Sequence, residues 1–176
     1  DLRRILLNEY DPESCVKSII FVDLYGNTVE VGTAAWDVSG ESFTAIKKQM
    51  EQGKGAYTTY GPTEECPYLL SGRVVRNRLD MSLSDMGKLI FVCDVGNVIS
   101  ENKESLSSNK AAIYVYNKNC AIYEDENIKK LDDLPKYVEH SGYKILKQSG
   151  RKYFVSYLYS AKTDWTYVSF FPYSDI

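Results

Sequence analysis

From Gly142 to Pro172 short runs rich in aromatic and β-branched residues are separated by turn residues. Such runs read as strands, in which successive side chains point to opposite faces of a pleated backbone. Turns at 148–150 and 161–164 divide the stretch into three strands. In the middle one Tyr153, Val155, Tyr157 and Tyr159 share a face, with Phe154, Ser156 and Leu158 on the other. In the last, Trp165, Tyr167, Ser169 and Phe171 lie opposite Thr166, Val168 and Phe170. Pro172 has no N–H to donate and is expected to stop the ladder. Aromatic and β-branched residues dominate, as pleated sheets favour, so the stretch reads as an antiparallel meander.

The rest of the chain reads as the same plan, twice. Residues 1–10 have the spacing of an amphipathic helix end, with Leu2, Ile5, Leu6 and Leu7 around Arg3 and Arg4. Two strands flank Tyr25, Gly26 and Asn27, where Gly26 supplies the positive φ that tight turns often require. A helix is predicted over 40–53: Phe43, Ile46 and Met50 fall on one face, Ser39 is a plausible N-cap and Gly53 a stop. Strands follow at 56–60, 68–77 and 88–95, with 80–87 as the turn region between the last two. In the second half a short helix begins near Asn97. Strand, turn and strand occupy 111–123, and a polar helical stretch runs from Asp125 to His140, bent at Pro135. The order strand, strand, helix, strand, strand, strand thus occurs twice, as a repeat of pattern with few identities. The expected fold is α+β: two tandem PAS-like subdomains, 1–96 and 97–176, each an antiparallel sheet of about five strands with flanking helices.

Bulk properties remove several function classes. The formal charge of −3 disfavours a general nucleic-acid binder, and Arg73, Arg76 and Arg78 read as a solvated strand face. No apolar run approaches the ~20 residues a membrane-spanning helix needs. The chain starts with Asp and carries no signal-peptide pattern, and is read as an excised or processed piece. Fifteen tyrosines suit half-buried sheets and ligand pockets alike. Cys15, Cys66, Cys93 and Cys120 form no C-x-x-C pair, so a structural zinc site is not expected; their even number permits two disulfides, while Cys93 and Cys120, placed inside apolar strands, read as buried free thiols.

Four local stretches, in this order and spacing, carry a family resemblance: Phe21 to Asn27, Leu70 to Val75, Gly87 to Asp94, and the closing Asp164 to Tyr173 with its Trp165, strand and Pro172. Together they resemble the double Cache module, the extracellular sensing region of bacterial transmembrane receptors, above all sensor histidine kinases of two-component systems. Chemoreceptors and membrane-anchored transcription regulators share it. The resemblance spans nearly the whole chain apart from a long N-terminal helix, of which residues 1–10 would be the remnant. It implies an extracellular domain of a cell-membrane protein, placed between two transmembrane helices and able to dimerise through that N-terminal helix. It further implies a small-molecule ligand (an amino acid, organic acid or amine) in the membrane-distal half, and relay through the last strand.

By the same resemblance Tyr57 falls where a ligand-facing aromatic is expected, and Asp94 where an aspartate captures the ligand's amine. Gly55 stands where a carboxylate-binding arginine is expected. Arg73, on the neighbouring strand, is the candidate substitute, since a guanidinium can hold a carboxylate in bidentate fashion. Tyr60 and Trp36 complete the expected ligand-binding set. Each has an ordinary alternative: Tyr57 and Tyr60 as sheet aromatics, Asp94 as a cap for the 97–104 helix, Arg73 in a salt bridge, Trp36 as core cover. No catalytic residue, metal ligand or cofactor is expected. His140 is the sole histidine and reads as an exposed helix end, Asp132 and Asp133 as a solvated face, and Gly53 to Gly55 lacks the strand-to-helix setting of a phosphate loop. The rivals from other classes are a secreted hydrolase or transferase, needing a nucleophile and base within hydrogen-bond reach, and a domain that only mediates protein contacts.

Overall fold

The computed structural model describes residues 1–33, 40–77, 79, 83–97, 99, 111–125, 138–148 and 150–173. Trp36, Ser39, Arg78, Asp132, Asp133, Pro135 and most of the two predicted helices at 97–104 and 125–140 lie outside them. The chain divides into two compact units, Asp1–Asp94 and Val95–Ile176.

The first unit opens with α1 (Leu2–Glu9), capped by the Asp1 carboxylate, which accepts the Arg3 N–H at 3.1 Å. Five strands follow in a single antiparallel sheet: β1 (Val16–Asp23), β2 (Thr28–Gly32), β3 (Thr58–Tyr60), β4 (Leu69–Arg76) and β5 (Asp85–Cys93), in the spatial order β2-β1-β5-β4-β3. The helix α2 (Glu41–Gln52) links β2 to β3, and Gly53 N–H closes its last turn on the Gln49 carbonyl at 2.9 Å. Its N-cap is Gly40, with no side-chain cap bond.

The sheet is covered on both faces. Phe43, Ile46 and Met50 of α2 bury against Ile20, Val22, Leu70, Val74, Ile90 and Val92. Leu6 of α1 buries against Ile19 and Val31, with Phe21, Val29, Leu89 and Phe91 partly buried around them. Gly72 decides how closely α2 approaches: a β-carbon there would stand 2.9 Å from both the Met50 sulfur and the Leu89 carbonyl oxygen. The methionine occupies space that any other residue at 72 would claim.

The second unit repeats the topology. β6 (Ala112–Asn117), β7 (Ala121–Glu124), β8 (Gly142–Gln148), β9 (Arg151–Ser160) and β10 (Trp165–Pro172) lie in the order β7-β6-β10-β9-β8. One face buries Ala112, Tyr116, Val155, Val168 and Phe170, with Tyr114, Leu146, Tyr153 and Tyr157 packed around them. Thr166, fully buried on that face, donates to the Val138 carbonyl at 3.0 Å and accepts the Val138 N–H at 3.4 Å. One hydroxyl thereby ties the segment entering β8 to the central strand. On the other face Ser156 and Ser169 hydroxyls meet at 2.7 Å, and Tyr143 stacks on Phe154 with ring centroids 5.6 Å apart. Tyr143, Ile145 and Leu158 are exposed there.

The fold is thus α+β with two five-stranded antiparallel sheets, as the periodicity implies. Three expectations need correction. β5 begins at Asp85 rather than 88, because the ladder continues past a bulge at Val75 and Arg76 through the Arg76–Asp85 pair. Cys120 sits in the turn between β6 and β7, not inside a strand: its N–H donates to the Asn117 side chain at 2.9 Å, and its carbonyl accepts the Asn117 N–H. Cys93 ends β5 partly exposed, beside Cys15, rather than buried alone.

Two substitutions test this packing. Gly72→Val should destabilise the first unit by about 1–3 kcal/mol through overpacking against Met50, read as a lower denaturation midpoint; an unchanged midpoint would mean α2 is not seated on Gly72. Thr166→Val keeps the shape but strips Val138 of both partners, and should cost about 1–3 kcal/mol by the same measurement.

Candidate functional site

The residues singled out from the sequence all belong to the first unit, and the sheet sorts the described ones, Tyr57, Tyr60, Arg73 and Asp94, into two groups. Alternation along β4 turns Leu70, Gly72 and Val74 toward α2, and Ser71, Arg73 and Val75 away from it. Arg73 therefore lies on the face opposite α2. There its guanidinium sits over the Tyr57 ring, 5.0 Å from the centroid. Tyr57 is 67% exposed, which puts this cation–π contact at about 0.5–1 kcal/mol.

Tyr60 is level with Leu70 on β4 and, across it, Val92 on β5. It is partly buried and packs on the α2-side core. Asp94 follows the end of β5, half-buried, its N–H donating to the Cys15 carbonyl at 2.8 Å. Tyr60 and Asp94 thus belong to one end of the sheet. Tyr57 lies three residues from Tyr60, roughly 10 Å along the strand direction at the usual rise. The structure brings Tyr57 to Arg73 but places Tyr60 on the other face.

A second feature, not singled out from the sequence, lies on the α2 face at the opposite end of the sheet. It is a cavity of about 270 Å³ lined by Asp23, Leu24, Glu51, Lys54, Val74, Arg76, Asp85, Gly87 and Lys88. Arg76 Nε donates to Asp85 Oδ1 at 2.9 Å and Nη1 reaches the Lys54 carbonyl at 3.4 Å; Lys88 Nζ meets Glu51 Oε1 at 3.0 Å. Gly55 lies beside Arg76 with φ at +91°, a backbone conformation that favours glycine. The six charged side chains of the cavity are three of each sign, and four of them are paired with one another, so its lining carries no net charge. These pairs are largely exposed and each contributes about 0–1 kcal/mol. Arg76 is thus engaged with partners rather than being one of three equivalent solvated cations. A spacing of three from Arg73 was the signal, since an odd spacing on a strand changes face.

His140 is exposed, with its ring edge-on to Tyr157 at 5.6 Å, and the neighbouring Ser141 hydroxyl accepts the Tyr159 N–H at 3.1 Å. Among the described residues no group of three or more His, Cys, Asp or Glu could hold a metal ion, and no helix is long and apolar enough to cross a membrane. Burial, and then the nearby Glu124, push the Tyr114 hydroxyl above its ordinary range; burial does the same for Tyr116.

No family model matches the chain. The sensor histidine kinase YesM of Bacillus subtilis is 22% identical over an alignment 174 positions long that covers 93% of this chain and 29% of that protein. The ligand-binding domain of the Pseudomonas aeruginosa PAO1 amino acid chemoreceptor PctB, in complex with L-Arg, matches 99% of this chain and 84% of its own, with TM-score 0.54 and 13% identity. An extracellular ligand binding receptor from Desulfohalobium retbaense matches 96% of this chain and 32% of its own, with TM-score 0.58 and 10% identity. The likeness is one of fold: this chain has the tandem-Cache architecture of the ligand-binding domains of chemoreceptors and sensor kinases, the architecture its four local motifs resemble.

One acidic group in the cavity wall has a defined titration. Asp23 accepts N–H groups from Tyr25 and Asn27, both at 2.8 Å, and the Asn27 side-chain amide at 2.7 Å. The Asn27 amide first, then the backbone donors, hold its carboxyl below the ordinary aspartate value. A folded-state pKa below the unfolded one contributes stability above the unfolded pKa, and that stability is lost as pH falls through the folded one. In thermal unfolding across an acid pH series, Asp23→Ala should therefore be less stable than the parent near neutrality. The difference should shrink at the acid end; a constant difference would rule out the ionised carboxylate as its source.

Proposed function

We propose that the chain is the extracellular small-molecule-sensing domain of a bacterial signal-transduction receptor, of the sensor histidine kinase kind. The ligand binds in the first unit, and its occupancy is relayed through β10 to a transmembrane helix that follows in the full-length receptor. The observation that carries this reading is the pair of sheets with one strand order, β2-β1-β5-β4-β3 and β7-β6-β10-β9-β8. It stands in a fold shared with an amino acid chemoreceptor's ligand-binding domain over 99% of the chain. In each sheet the strand that comes last in the sequence is the central one. A displacement of β10 is therefore felt by β6 and β9 together, and it leaves the unit at Pro172.

The ligand is a small molecule bearing an ammonium, an amino acid or amine, with Asp94 as its anionic partner and Tyr60 and Trp36 as apolar walls. A carboxylate accepting from an ammonium makes the stronger, charge-assisted kind of hydrogen bond. Arg73 backed by Tyr57, on the opposite face, is a rival contact that would hold a ligand carboxylate if the ligand lay on that face instead. Because Arg73 and Tyr60 lie on different faces, the two groups are separable by mutation. A ligand signals only by binding one conformation of the unit better than another.

A thermal-shift screen of amino acids, amines, organic acids and sugars tests this reading. A ligand at 100 times its dissociation constant adds about 2.7 kcal/mol to the stability of the folded state. Asp94→Ala should weaken a hit about tenfold or more, since hydrogen bonds to charged groups contribute about 1.5–3 kcal/mol. Loss of affinity in Arg73→Ala with Asp94→Ala unaffected would put the ligand on the opposite face instead. Full affinity in both variants would overturn the site.

A further inference from the structure

The four cysteines are far apart in the sequence, but the fold brings two of them together. Val16, the first residue of β1, is paired with Cys93, the last of β5. Cys15 precedes that pair, and its carbonyl accepts the Asp94 N–H at 2.8 Å. Residues offset by one across an antiparallel ladder have α-carbons about 6 Å apart, inside the roughly 4.4–6.8 Å that a disulfide spans. Cys15 lies in the bend before the strand, so alternation does not dictate its direction, and its thiol lies near enough to that of Cys93 to act on its proton. Both side chains are partly exposed and open to a reagent. The other two differ: Cys66 is buried with its Sγ donating to the Tyr68 carbonyl at 3.3 Å, and Cys120 is in the β6–β7 turn of the other unit.

We infer that Cys15 and Cys93 are a disulfide-forming pair, which on oxidation staples the start of β1 to the end of β5 at the point where the chain leaves the first unit. The reaction is thiol–disulfide exchange with a disulfide oxidant of the glutathione or oxidoreductase class, written RSSR. The Cys15 thiolate attacks RSSR, forms a mixed disulfide and expels RS⁻. Cys93 then gives up its proton, and its sulfur attacks the Cys15 sulfur and expels the second RS⁻. Two cysteine thiols are oxidised and RSSR is reduced to two RSH. Burial first, and the Cys15 thiol second, push the Cys93 thiol up to about 11. Both attacks accelerate as pH rises, since in each the thiolate is the nucleophile. An oxidising compartment would keep the pair closed. The inference is independent of the sensing role and would stand if no ligand were found.

The test is to purify the chain reduced, incubate it with oxidised glutathione at pH 8, alkylate the remaining thiols and map the peptides by mass spectrometry. Two of the four thiols should disappear, with a single linked peptide pair containing Cys15 and Cys93. The oxidised chain should melt several degrees above the reduced one, because closing a long loop restricts the unfolded chain. Cys93→Ser should stop at a mixed disulfide on Cys15 and lose that gain in melting temperature. Four free thiols after oxidation, a link involving Cys66 or Cys120, or a mixed disulfide that never closes in the parent chain would each overturn the assignment.

Discussion

The first unit depends on a helix pressed onto a sheet at a residue with no side chain. Met50 reaches the sheet because Gly72 leaves the space open, and Phe43 and Ile46 follow it down onto Ile20, Leu70 and Ile90. The helix crosses between β2 and β3, so its seating also fixes where β3 begins. From that follow the placement of Tyr60 and, through the β4 ladder, of Arg73. The opposite face is closed by a smaller contact, Leu6 of α1 on Ile19 and Val31. A sheet buried on both faces has its strand register specified twice over, since slipping by one residue would carry each apolar set to the other face and mismatch both helix contacts.

The second unit uses polar atoms for the same task. Thr166 takes a position on β10 where its oxygen grips both backbone groups of Val138, and Gly142 then admits the Tyr157 ring so closely that a β-carbon would stand 2.7 Å from its hydroxyl. Both arrangements position β8 against the central strands. Sequence identity between the units is low because one strand order is stabilised by different side chains. What persists is the topology, in which the last strand is laid down between two already formed.

Much of this was legible in the residues. The aromatic and β-branched runs of 142–172 specify β8, β9 and β10, and the spacing of Phe43, Ile46 and Met50 specifies α2, because burial demands those patterns. Strand ends were less so: β5 starts early because Arg76 and Asp85 pair across a bulge, and no local pattern announces a cross-strand partner. The candidate site was only partly visible. Resemblance points to Tyr57, Tyr60, Arg73 and Asp94, but which face of the sheet each occupies depends on pairing. The contact of Cys15 with Cys93 is wholly a product of the fold, since 77 residues separate them in the chain. Cys120 reads as strand because Ala121, Ile122 and Tyr123 continue the apolar run after it, whereas it closes the turn that Asn117, Lys118 and Asn119 begin.

The margins of the two sheets bear on edge-to-edge association in concentrated solution. An unpaired strand offers its amides to any passing chain, and three of the four outer strands here are only three to five residues long: β3, β2 and β7. The fourth, β8, is seven residues long and carries the exposed Tyr143 and Ile145, the combination most prone to fibrous stacking. It also carries Lys144 and Lys147. Two like charges along one margin make the docking of a second copy's β8 repulsive, so solubility at that edge rests on the lysines interleaved with its apolar residues.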